Sequence, residues 1–118
     1  MAGWQPFADG TTIGGRGTED GTILRDEEHA EGSRITLERT GRFRPGAPVA
    51  HAITCGIYGW MLHTRFLSSE EEAVRDYESM KTELAAILAI VPFADDPAGD
   101  EKMAEVTRRI DLFVERFP

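Results

Sequence analysis

The sequence predicts an α+β domain in which an antiparallel β-meander of about 4–5 strands is followed by two C-terminal helices packed on one face. Three observations carry that expectation. Glycine- and proline-marked turns separate short apolar segments as far as residue 67. A serine–glutamate capping pattern then opens a stretch of helical periodicity at Ser68–Glu72. A second amphipathic stretch follows Pro92. The expected organisation is a single domain over residues 1–118, with 1–67 mainly strands and turns and 68–118 mainly two helices. A chain of this length can bury a core without disulfide or metal staples.

The elements follow in order. In "GTEDGTILRDEEH", Asp20-Gly21 stands between two segments able to form strands, a strong short-range hairpin signal. "EGSRITLERTG" alternates, with Ile35 and Leu37 on one side, as a half-buried strand does. "GRFRPGAPVA", from Gly41 to Ala50, mixes prolines with glycines and reads as a loop or linker. The apolar run "AITCGIYGWMLHTRF" has no clean alternation, which suits a strand covered on both faces or a strand pair at the sheet centre. Gly56 and Gly59 bracket Ile57-Tyr58, leaving two geometries open: a tight hairpin, or one long strand bent at the glycines.

From Ser68 the period changes. Ser68 with Glu71, or Ser69 with Glu72, forms the capping box, and the early acids suit the helix dipole. Ala73, Tyr77, Met80, Leu84, Ile87, Leu88 and Val91 share one helical face until Pro92 ends it. In the second helix the stripe is Met103, Val106, Ile110, Phe113 and Phe117. Arg108, Arg109 and Arg116 lie toward its C-terminal end, where positive charge is favourable.

Charge and composition bound the function. The formal net charge is −8, of which residues 1–66 carry −1 and residues 67–118 carry −7. An acidic half repels phosphate backbones, so no nucleic-acid partner is expected, whereas a basic protein would be attracted. The longest apolar run, "LAAILAIVPFA", is far short of the roughly 20 residues of a membrane helix, so no membrane partner is expected either. The opening "MAGWQPFADG" has neither a basic nor an apolar targeting region, and Cys55 is the lone cysteine. Both point to a cytoplasmic protein in a reducing compartment.

Candidate chemistry is sparse. If the stretch from Cys55 to His63 is one strand, the two are separated by roughly 26 Å. If Ile57-Tyr58 is a two-residue turn, Cys55 faces Trp60 while His63 faces Ala52, on opposite faces. Neither geometry makes a thiol–imidazole pair, and Cys55 reads as a small buried apolar residue. In "RDEEH", Glu27 and His29 share one strand face, but nothing at a second spacing completes a ligand set, so no metal is expected. "GGRGTEDG" lacks both the preceding strand and the following helix of a phosphate loop, and no cofactor is expected. Arg39, Arg42 and Arg44 read as partners for the acidic helices, within the chain or across a dimer.

The first functional expectation is therefore a small acidic, bacterial-type protein-interaction module, forming a homodimer and binding another protein as an inhibitor, immunity-type or regulatory factor. The alternative is a small enzyme or ligand-binding protein with a pocket between sheet and helices, lined by Tyr58, Trp60, Tyr77 and Met80. His63, His29 or Glu28 would then supply acid–base chemistry, and Arg39 or Arg42 an anion clamp.

Overall fold

The computed structural model describes residues 3–44, 47–93 and 95–118, with the side chains of 42–49 outside that description. Five strands form one antiparallel sheet in sequence order: β1 (Trp4–Pro6), β2 (Thr22–His29), β3 (Ser33–Arg44), β4 (Ala47–Ile57) and β5 (Met61–Leu67). Two helices follow, α1 (Glu70–Leu88) and α2 (Gly99–Arg116). This is the α+β meander with a C-terminal helix pair that the sequence pattern predicts. Among the described residues, no helix is long and apolar enough to cross a membrane.

Alternation along β3 sorts the molecule into two sides. Ser33, Ile35 and Leu37 stand opposite Ile57, Cys55 and Ile53 of β4, and all six are at most 2% exposed. Over them lies α1, whose Ala73, Tyr77, Met80 and Leu84 are fully buried. Each large apolar side chain buried here contributes on the order of 1.5–3 kcal/mol. Ser69 is the residue that caps α1, its hydroxyl accepting from the Glu72 N–H at 3.2 Å. Beside α1, α2 presses Phe113 against His63 of β5, and Arg116 reaches Glu83 of α1 at 2.9 Å.

The other side of β3 carries Arg34, Thr36 and Glu38. Residues 7–21 cross this open face as a strap. Thr12 Oγ1 donates to buried Asp26 at 2.8 Å. The backbone N–H groups of Glu19 and Gly21 donate to Glu38 Oε1 at 3.1 and 2.9 Å. The strap comes so close that a Cβ on Gly17 would lie 2.6 Å from the Glu38 carboxyl carbon, and one on Gly21 2.5 Å from the Arg39 carbonyl oxygen. Only glycine fits such an approach.

Three local readings change. The Asp20-Gly21 turn exists, with Asp20 at φ 63°, but its upstream arm contributes a single bridge, Arg16 to Thr22. The long hairpin turns instead at residues 30–32, so that His29 pairs Ser33. Gly41–Ala50 is not a linker: β3 runs on to Arg44 and β4 begins at Ala47, with Arg42 opposite Val49 and Phe43 opposite Pro48. The pairings to β2 and β5 stop at Arg39 and His51. Beyond them both strands are edges, where proline is tolerated. Finally, the turn after β4 has three residues, Tyr58, Gly59 and Trp60, with Gly59 at φ 82°. Ile57 therefore pairs Met61, and Cys55 stands directly opposite His63. One residue of register reverses parity, so the two share a face after all.

Two stripe positions depart from the reading: α1 ends at Leu88, so Val91 lies beyond the helix, and Met103 of α2 is 49% exposed. Lys81 is the opposite case, buried on α1 although charged. Its ammonium meets Glu27 Oε1 at 3.0 Å, while the Tyr77 hydroxyl donates to Glu27 Oε2 at 2.7 Å. Burial, followed by the bond to Glu27, pushes the Tyr77 phenol well above its ordinary range and keeps it a donor. Glu27 thus ties β2 to the centre of α1. Replacing it by alanine removes the nearer partner of both, leaving Lys81 with Glu78 and the Tyr77 hydroxyl with the Ile35 carbonyl, each at 3.4 Å, and should cost about 1–3 kcal/mol in urea unfolding. The double variant Glu27→Leu with Lys81→Met should recover most of that loss, since no charge is left unpaired.

Candidate functional site

A cavity of about 400 Å³ opens on the face of the sheet away from the helices. Its floor is built by alternation on neighbouring strands. Thr36 of β3, Thr54 of β4 and Thr64 of β5 stand side by side in register. The Thr54 hydroxyl lies 3.2 Å from that of Thr64 and 3.2 Å from that of Thr18 on the strap. Ile23 and Leu62 make apolar walls, Arg16 and Gly17 of the strap close one side, and Tyr58 with Gly59 the end. Leu62 forms an exposed rim, with 81% of its surface open to solvent.

Arg34 lines the same cavity and is held rigidly. It donates through Nε and Nη2 to the two carboxylate oxygens of Asp26 at 3.0 and 2.7 Å. Its guanidinium lies 3.5 Å from the centre of the Phe7 ring. The hydrogen bond to Asp26 raises the guanidinium pKa beyond its already high value. Nearby, the Tyr58 hydroxyl donates to Glu28 Oε2 at 2.6 Å. Desolvation and that carboxylate push the phenol up to about 12.

The residues singled out from the sequence are dispersed. Glu28 and Tyr58 meet at the cavity's end. Trp60 closes the β4–β5 turn and packs half-buried against the core. Tyr77 and Met80 are fully buried among core side chains at the centre of the sheet–helix interface, and the opening between sheet and α1 lies instead at Leu24, Leu37 and Val74, without either of them. His29 stands at the far end of β2, its Nδ1 accepting from the Glu31 N–H at 3.0 Å and its ring edge against Trp4. His63 bonds the Phe117 carbonyl through Nε2 on the helix side. Arg39 pairs with Glu70 at the start of α1 at 3.2 Å, which is the partnership with the acidic helices read from its sequence. The Arg42 side chain lies outside the described residues. The functional side chains that sequence reading passed over are Arg16, Arg34, Thr36 and Thr54. Arg34 and Thr36 sit in the polar phase of the β3 alternation, a signal for the open face though not for a cavity.

Cys55 and His63, although cross-strand neighbours, do not form an activated pair. Burial pushes the Cys55 thiol up to about 12, and the imidazole is turned to Phe117. His51 is a second buried imidazole, 5% exposed, with neither ring nitrogen hydrogen-bonded among the described residues. Desolvation lowers its pKa, Glu70 at 4.0 Å opposes that shift and Arg39 adds to it. Among the described residues no group of three or more His, Cys, Asp or Glu side chains is placed to hold a metal ion. No family model matches the sequence, and no curated protein or solved structure matches the chain.

Two measurements follow from these groups. Native protein at pH 8 should resist alkylation of Cys55 by iodoacetamide and react promptly once unfolded in denaturant, because the thiolate forms only on opening. For His51, the unfolded imidazole binds a proton near pH 6.5 that the folded one refuses. Stability present above that pH should fall as pH drops below 6.5, with a slope of up to about 1.4 kcal/mol per pH unit. Denaturant titrations between pH 7 and 5 should show that slope in the parent and lose it in His51→Leu.

Proposed function

We propose that this protein binds a small molecule in the cavity on the open face of its sheet. One observation carries the reading: a half-enclosed space of about 400 Å³ combines apolar walls with a row of threonine hydroxyls and a braced arginine. That volume and mixture are those of small-ligand sites, in which apolar contact supplies affinity and a few polar groups fix orientation. Hydroxyls and guanidinium groups bind and orient a ligand, so the reading is of a binding protein rather than an enzyme.

The test is uptake of the neutral fluorescent probe N-phenyl-1-naphthylamine. Thr54→Phe places a ring on the cavity floor, removes only partly exposed hydroxyl contacts and keeps a residue suited to strands. The parent should bind the probe saturably, and Thr54→Phe should abolish binding with a melting temperature within about 4 °C of the parent. Unchanged binding in Thr54→Phe would place the probe elsewhere and sink the proposal.

A second reading keeps the protein-interaction module. β5 is the terminal strand of the sheet and presents Leu62 on its exposed rim, which supports pairing with a second copy or with a strand of a basic partner. A dimer in the native mass spectrum together with no probe uptake would favour this reading over the first.

A further inference from the structure

The chain has 21 acidic and 13 basic side chains, yet the cavity is lined by two arginines and, among the described residues, by no aspartate or glutamate. The carboxylates nearest to it are engaged: Asp26 by Arg34, Glu28 by the Tyr58 hydroxyl, and Glu38 by the strap N–H groups. The two arginines are not equivalent. Arg34 is already bound through two donors to Asp26, which is buried beneath it. Its charge is thereby balanced, and it offers a fixed hydrogen-bond donor. Arg16 stands on the strap with its side chain 80% exposed, 3.4 Å from an Asp20 carboxylate that is itself largely exposed. An exposed pair of that kind contributes about 0–1 kcal/mol, so its guanidinium is readily transferred to another carboxylate, with bidentate geometry available.

One exchangeable cation, one neutralised arginine and a hydroxyl row suit a single negative charge better than a phosphate dianion. Ile23 and Leu62 call for an apolar body, and coverage of Leu62 by that body removes exposed apolar surface.

We propose that the cavity selects a monocarboxylate with an apolar body, its carboxylate held by Arg16 at the strap and its body lying between Ile23 and Leu62. This deepens the reading of the cavity as the ligand site and rests on it. Within the proposal Arg16 sets ligand class, while the threonine floor serves any ligand of suitable shape.

The test compares octanoate with octan-1-ol, which share a chain and differ in charge, as displacers of N-phenyl-1-naphthylamine at pH 7.4. The parent should release the probe at an octanoate concentration about five- to tenfold below that of octan-1-ol, the ratio expected for one charge-assisted contact at a partly exposed site. Arg16→Gln, a change at an exposed position, should bring the ratio to about one, both displacers being read against the same variant so that any change in its probe affinity cancels. Equal displacement by both compounds in the parent, or a preference that survives Arg16→Gln, overturns the carboxylate assignment while the cavity reading stands on probe binding and its loss in Thr54→Phe. Failure of the parent to bind the neutral probe overturns both.

Discussion

The two-residue alternation of β3 is the constraint from which the molecule is built. Ile35 and Leu37 point to the helices, and Arg34, Thr36 and Glu38 point away. Because β3 is the central strand of the five, its pairings pass that division outward to every neighbour. Cys55, Ile53, Glu27 and Arg65 take the helix side. Thr54, Thr64, Asp26 and Ala52 take the open side. A slip of one residue would bring a row of threonines and acids beneath α1 and expose the core.

Each side meets its complement in a different way. Tyr77, Met80, Leu84 and Ile87 fill the centre of the helix side, and space remains at the start of α1, between Leu24, Arg25 and Leu37 of the sheet and Glu70, Glu71 and Val74 of the helix. The open side is polar and only partly covered, and it is covered by main chain. Two carboxylates buried there, Asp26 and Glu38, act as anchors for the strap through Thr12, Glu19 and Gly21. Glu38 is fully buried, and its second oxygen has no hydrogen-bond partner among the described residues. A buried acceptor left with one oxygen unpaired is costly, and both backbone bonds made by the other oxygen hold the strap at the edge of the cavity. The cavity is thus what remains between a pleated sheet and a strap held off it by turns.

Much of the fold was legible. The α1 face appears in the sequence as Ala73, Tyr77, Met80, Leu84 and Ile87, and the cap as one of two adjacent serines, Ser68 or Ser69, because helix periodicity and capping are local properties of a few consecutive residues. The β3 alternation was legible for the same reason. The candidate site was far less so. Tyr58 and Glu28 were singled out and do meet, but Tyr77 drew attention as a polar aromatic when its hydroxyl serves Glu27 inside the core. Arg34 and Thr54 gave no signal of a cavity, since an arginine or threonine on the polar phase of a strand reads as a solvated surface residue until something covers it.

By itself, then, the sequence determined the strand-then-helix order, most of both helix faces, a capping serine at residue 68 or 69 and the core parity of β3, all of which are set within about one turn or one strand of chain. Tertiary structure decided the rest. Whether the glycine-flanked turn held two residues or three depended on which pairing buries Cys55, Ile53 and Ile57 beneath α1, and the three-residue answer put Cys55 opposite His63. Whether "GGRGTEDG" was a strand or a strap depended on Glu38, seventeen residues beyond Gly21, accepting its backbone N–H. Both are contacts between segments distant in the chain. Their register is fixed only when the two faces of the sheet are filled at once, and no local pattern encodes that.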